Sequence, residues 1–246
     1  MRRYGLIGYP LSHSFSKTYF AEKFAKNNIS DCQYDNFPIA SILEFPALIA
    51  AQKDLLGLNV TIPYKQQVIP FLHEKNEVVE KTGACNCIKI IDQKLHGFNT
   101  DIIGFEKSLL EYLRPHHQRA LILGTGGAAK AVEYVLEKLS ISFLYVSRSA
   151  DAGKNIISYD QLDEKLISTY TLIINTTPLG TFPDIQTYPA IPYGLLSKKH
   201  YLFDLVYNPS LTIFLEKGKK QGAVIKNGYD MLILQAEESW RIWNEA

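Results

Sequence analysis

The chain has 246 residues, and its 26 lysines and arginines nearly cancel its 25 aspartates and glutamates. A chain so balanced has no net field to gather nucleic acid or an anionic membrane surface, so any anionic ligand must be held by local groups. The three cysteines, Cys32, Cys85 and Cys87, lack metal-ligand spacing, so no metal site is expected and a reducing, cytoplasmic setting is.

Tyr4-Gly5-Leu6-Ile7-Gly8 predicts a short strand running into a Gly/Pro/Ser turn. Gly5, Gly8, Pro10 and His13 break the apolar stretch after Arg2-Arg3 before it reaches signal-peptide length. Nowhere does a run approach the ~18 apolar residues that a membrane span requires, so the protein is expected to be soluble. Phe20 and Phe24, one turn apart, mark a helix, and a second is expected across Ile42 to Gln52. A strand from Leu56 to Ile62 stops at Pro63, and Cys85 to Ile91 with Leu95 to Phe98 reads as a hairpin around Asp92-Gln93-Lys94.

From Asp101 a helix carries Ile102, Phe105, Leu109 and Leu113 on one face, and Arg114-Pro115-His116-His117 then reads as a linker. Beyond it come a strand (Ala120 to Leu123), a glycine turn, a helix (Ala129 to Leu139), a strand (Phe143 to Val146), a helix, and strands at Leu172 to Asn175 and Tyr201 to Leu205. That alternation is the doubly wound pattern of a parallel sheet. A last helix runs from Asp230 to Trp243. The expected class is therefore α/β: residues 1–100, completed by the helix of 230–246, form an α/β unit with a mainly parallel sheet, and residues 101–229 form a doubly wound Rossmann unit.

The turn Gly124-Thr125-Gly126-Gly127-Ala128-Ala129 leaves one strand and opens a helix. A dinucleotide pyrophosphate needs a tight turn, a backbone bare of Cβ atoms, and the free N–H groups of a helix N-terminus, all of which this segment supplies. Where an NAD site places a carboxylate at the end of the next strand, the chain has Ser147-Arg148-Ser149. Arginine flanked by hydroxyls suits a 2'-phosphate, which favours NADP, with Lys154 as a second candidate cation.

Polar groups also gather at predicted strand ends in the first hundred residues: Ser12 to Ser16, Asn59 to Lys65, Gly83 to Asn86 and Phe98 to Asp101. Loops at strand ends line the ligand crevice of open α/β sheets. Taken singly, Ser14 and Ser16 suit turn hydroxyls, Asp101 suits a helix N-terminus, and His13 suits a structural polar turn.

Together, in this order and spacing, these segments resemble shikimate dehydrogenases over essentially the whole chain. The resemblance implies that Ser14, Ser16, Thr61, Asn86, Asp101, Tyr207 and Gln235 bind the substrate and that Lys65 and Asp101 are catalytic. It further implies that Gly124, Thr125, Gly126, Gly127, Ala128, Ser147, Arg148, Leu205, Gly228 and Glu77 contact NADP. Asp204 and Tyr207 match the family's D-x-x-Y. The implied reaction is reversible reduction of 3-dehydroshikimate to shikimate, a step toward chorismate and the aromatic amino acids, by a monomer or homodimer. Lys65 as an ammonium would meet the negative charge that hydride arrival builds on the carbonyl oxygen, with Asp101 holding the lysine and a substrate hydroxyl.

The chain departs from the family pattern at Lys17, at Tyr19-Phe20 (usually histidine-asparagine), at Ala152 (usually a second arginine) and at Asp230 (usually glycine), where a carboxylate is expected to crowd the nicotinamide end. Tyr19 to Lys23 and Tyr134 to Lys138 spell the Tyr-x-x-x-Lys of short-chain dehydrogenases, but neither lies on a helix late enough after the glycine turn. The alternatives are a quinate or mixed quinate/shikimate dehydrogenase and a non-catalytic NADP-binding sensor.

Overall fold

The computed structural model describes residues 1–11 and 14–245. The chain divides into two compact units, Met1–Thr100 with Ala236–Ala246, and Asp101–Gln235.

The first unit runs β1 (Arg2–Gly8), α1 (Phe15–Lys26), β2 (Cys32–Pro38), α2 (Phe45–Ala51), β3 (Leu55–Val60), β4 (Glu74–Lys75), α3 (Glu77–Thr82), β5 (Cys87–Ile91) and β6 (Lys94–Phe98). Its six strands lie in the order β2-β1-β3-β5-β6-β4. β1 is parallel to β2 and β3, and β4 is parallel to β6, while β5 runs antiparallel to both its neighbours. The β5–β6 hairpin closes through two residues rather than the expected three: Asp92 and Gln93 both have positive φ (48° and 63°), and Lys94 already pairs with Ile91. Two successive left-handed residues match the twist of the flanking strands.

One face of this sheet packs Ile7, Leu58, Val60 and Ile88 against Phe45 and Val68. The other packs Tyr4, Leu6 and Tyr34 against Phe20 and Phe24 of α1 and against Trp243. The Phe20 ring stacks on Tyr34 (4.5 Å between centroids, 16° between planes). The Tyr19-Phe20 departure therefore puts an aromatic ring in the core, and the Tyr19 hydroxyl and Lys23 Nζ (2.6 and 2.8 Å) both hydrogen-bond the Glu237 carboxylate.

The second unit runs α4 (Asp101–Leu110), β7 (Arg119–Leu123), α5 (Gly127–Lys138), β8 (Ser142–Ser147), β9 (Ile156–Ser158), α6 (Glu164–Thr169), β10 (Leu172–Asn175), β11 (Tyr201–Asp204), α7 (Ile213–Lys220), β12 (Val224–Lys226) and the start of α8 (Tyr229–Asn244). All six strands are parallel, in the order β12-β11-β10-β7-β8-β9. The order reverses between β7 and β10, where an open α/β sheet leaves its ligand crevice. Ile167, Phe214 and Leu215 cover one face with Leu121, Leu123, Ile173 and Leu202, while Phe105 of α4 meets Phe203 edge-on at 5.1 Å.

Two expectations are corrected here. Arg114 to His117 is not a linker: His117 is buried, its Nδ1 accepts the Arg114 backbone N–H at 3.0 Å, and its Nε2 lies 3.1 Å from the Lys199 carbonyl. The imidazole satisfies backbone groups at both ends, which ties the segment into the second unit. The division within α8 also falls at Ala236 rather than Asp230, because Gly104 of α4 lets the backbone of Met231 and Gln235 approach so closely that a Cβ there would overlap it.

Candidate functional site

In the first unit, strand register brings distant segments to one level of the sheet. Ile7 pairs with Val60, Asn59 with Cys87, and Cys87 with Phe98. Because β5 runs antiparallel, its beginning lies beside the ends of β3 and β6. Thr61, Asn86 and Thr100 thus share one edge. The Thr61 N–H donates to Ile7 O (2.9 Å), and the Cys85 N–H donates to Lys65 O (2.7 Å), which ties the lysine turn to the loop of Asn86. Tyr64, beside Lys65, is buried and donates to Ile39 O at 2.6 Å.

Ser14 is the N-cap of α1, yet its hydroxyl makes no cap bond. The oxygen is buried and has no hydrogen-bond partner among the described residues. An orphaned hydroxyl at the N-terminus of a twelve-residue helix, with Ser16 at the second helical position, fits a carboxylate held from outside the chain. Ser12 and His13, including the structural or catalytic reading of His13, lie outside the described residues.

Asn86 is buried, accepts the Thr100 N–H at 2.6 Å and donates from Nδ2 to Thr100 Oγ1 at 3.0 Å. Behind it sit Asn59, from the polar strand-end segment of Asn59 to Lys65, and Ser239 and Tyr34, which carry no signal in the linear chain. Asn59 donates to Asn86 O (3.3 Å) and to Ser239 Oγ (2.9 Å) and accepts the Tyr34 hydroxyl (2.9 Å). Glu77 is exposed at the start of α3 and pairs with Lys81 at 2.5 Å, which holds its carboxyl below the usual range.

In the second unit, Gly124 follows β7 with φ +101°, a conformation that disfavours any Cβ, and a Cβ there would come within 2.8 Å of Thr177 Cγ2. Gly126 and Gly127 have ordinary φ, and a Cβ built on either would meet nothing within 4 Å. Nothing among the described residues requires those two glycines, so the open cradle they leave with exposed Thr125 and Ala128 at the mouth of α5 fits a ligand backbone approaching closely. Ser147 ends β8, which neighbours β7, and exposed Arg148 follows with no partner among the described residues. Lys154 is instead occupied, lying 3.3 Å from Asp151. The groups present fit a dinucleotide with a 2'-phosphate.

At the adjoining strand ends, Asp204 is fully buried and accepts bonds from Asn175 Nδ2 (2.9 Å), the Val206 N–H (3.1 Å) and Thr212 Oγ1 (2.6 Å). Asn175 in turn accepts from the Thr177 N–H and hydroxyl (3.0 and 2.6 Å), and Thr176 Oγ1 donates to Leu123 O (2.7 Å), the residue before Gly124. Asn175, Thr176, Thr177 and Thr212 escaped the sequence reading, although an asparagine and two threonines after three apolar residues were a signal. This network supports Leu205, whose N–H donates to Asn175 O (3.0 Å), and partly exposed Tyr207. Gly228 is buried because its N–H donates to Val206 O (3.1 Å) and a Cβ would overlap the Leu205 carbonyl. Asp230 pairs with Lys226, which also binds Glu111 at 2.5 Å, so its carboxylate is drawn to a cation instead of standing free. Gln235 donates to Leu232 O at 2.9 Å.

A doubly wound parallel sheet with a bare glycine turn at its switch point, in a chain whose other unit has a mixed sheet edged with hydroxyls and amides, defines a two-unit α/β protein of the dinucleotide-binding class. A family model described as the shikimate dehydrogenase substrate binding domain matches residues 6–88. The shikimate dehydrogenase (NADP(+)) of Methanosphaera stadtmanae is 35% identical over 97% of this chain and 90% of its own length. The crystal structure of shikimate 5-dehydrogenase from Listeria monocytogenes, in complex with shikimate and NAD, matches with a TM-score of 0.89 at 26% identity, covering 99% of this chain and 91% of that one. That from Thermus thermophilus, in complex with NADP(H) and shikimate, matches with a TM-score of 0.87 at 26% identity, covering 99% and 94%. The chain belongs to the shikimate dehydrogenase family. Among the described residues, no helix is long and apolar enough to cross a membrane.

Proposed function

We propose that this chain reversibly reduces 3-dehydroshikimate to shikimate with NADPH, as a cytoplasmic monomer or homodimer on the route to aromatic amino acids. The observation that carries the reading is the gathering of Ser14, Thr61, Lys65 and Asn86 at one edge of the first sheet, with the Ser14 hydroxyl buried and without a hydrogen-bond partner among the described residues. NADPH supplies the hydride. Ser14 and Ser16, at the positive end of α1, hold the substrate carboxylate. Thr61, Asn86, Tyr207 and Gln235 offer hydroxyl and amide groups to the ring hydroxyls. Hydride arrival turns the carbonyl oxygen into an alkoxide, and Lys65 as an ammonium stabilises that charge and delivers the proton. Asp101, at the first position of α4, accepts a hydrogen bond from a substrate hydroxyl. Gly124 to Ala128 cradle the pyrophosphate, Arg148 with Ser147 takes the 2'-phosphate, and Leu205, Gly228 and Glu77 complete the cofactor contacts. The unit of residues 1–100 with the end of α8 is thereby the substrate domain, and the unit that begins at Asp101 is the NADP domain.

The test is the reduced-nicotinamide absorbance with shikimate and NADP. Silence with intact NADP binding would favour a sensor, quinate turnover equal to shikimate would favour a mixed dehydrogenase, and an NAD preference would remove the role given to Arg148.

A further inference from the structure

Ser239 lies near the middle of α8, is fully buried, and belongs to no motif. Its oxygen accepts Asn59 Nδ2 at 2.9 Å and shares a 3.2 Å hydrogen bond with Thr100 Oγ1. Either hydroxyl can donate in the Ser239–Thr100 pair, and in both arrangements a Thr100 lone pair is left for the Asn86 amide. Thr100 then presents a lone pair to Asn86 Nδ2 (3.0 Å), while its N–H holds Asn86 Oδ1 (2.6 Å). Both ends of the Asn86 amide are fixed, and its second Nδ2 hydrogen is aimed in a single direction. Asn59, Asn86 and Thr100 are each 5% exposed or less, so water does not stand in for a missing member. The chain ends on Thr100, whose backbone leads directly into Asp101.

We propose that Ser239 is a positioning residue for substrate: acting through Thr100, it orients the Asn86 amide toward a ring hydroxyl of shikimate. Ser239 thus takes part in substrate recognition without touching the substrate. This rests on the functional reading above, in which Asn86 binds shikimate.

The experiment compares the full chain with Ser239→Ala, Asn86→Ala and the double variant, measuring kcat and both KM values. Removing one hydroxyl from a buried neutral chain is expected to raise the shikimate KM about tenfold, with kcat and the NADP KM within about twofold. In the Asn86→Ala background the same substitution should add almost nothing, since coupled sites are not additive. Should Ser239→Ala fail to fold, Thr100→Val removes the next hydroxyl in the chain and carries the same expectation. A folded Ser239→Ala or Thr100→Val enzyme with a lowered melting temperature but an unchanged shikimate KM overturns the proposal, as does full additivity with Asn86→Ala. Wild-type turnover is measured first: its absence sinks the functional reading, whereas an active wild type with insensitive variants sinks only the role of Ser239.

Discussion

The Asp204 carboxylate accepts the Thr212 hydroxyl at 2.6 Å where no solvent reaches it. Burial pushes its pKa up from 3.8 to about 6, with the bonds from Thr212, the Val206 N–H and Asn175 pulling back. Between those values the folded chain keeps a proton that the unfolded chain has released. The stability from the protonated form is therefore whole below about pH 4 and lost as the pH rises through about 6. A rise of this size corresponds to roughly 3 kcal/mol. Asp204→Asn is neutral throughout, so its melting temperature relative to wild type should climb by several degrees between about pH 4 and pH 7. Melts across that range decide it, and a difference that stays flat or grows on acidification would refute the assignment.

Lys65 is expected to act on kcat. Lys65→Ala should lower kcat by roughly 10²-fold or more, the usual loss when a proton donor is removed. A variant that keeps kcat and loses only KM would make Lys65 a binding residue instead.

Gly124 and Gly126 are both glycines of the cofactor turn, but for different reasons. At Gly124, φ is +101° and Thr177 stands in the way, so Gly124→Ala should cost about 1–3 kcal/mol of stability. Gly126→Ala meets open space, so the fold should lose less than about 1 kcal/mol while the NADP KM rises about tenfold or more. Melting curves beside cofactor titrations separate the two effects, and equal stability losses would contradict the geometry.

Arg148 discriminates cofactors. Exposed and without a protein partner among the described residues, it can be changed to alanine with little effect on folding. Arg148→Ala should raise the NADP KM about ten- to a hundredfold, the range for a charge-assisted bond, and leave the NAD KM within about twofold. Parallel loss of both cofactors would place the arginine elsewhere in the binding event.

What the sequence determined by itself was local. A glycine turn between a strand and a helix dictates its own backbone, Phe20 and Phe24 share a face because a helix repeats every 3.6 residues, and alternating β and α segments make the second sheet parallel. Motif spacing then carried the family and the candidate residues. Only the tertiary structure decided the rest. β2, β9 and β12 are short or carry polar residues, and they become strands because a neighbouring strand takes up their backbone groups. His117 became an interior residue where proline and two histidines suggested a linker, and Asp230 found Lys226. Ser239, Asn59 and Tyr34, whose partners lie as many as 180 residues away, form a single hydrogen-bonded chain behind Asn86. A buried polar side chain must find its partner wherever the fold puts one, and that demand leaves no periodicity in the sequence to read.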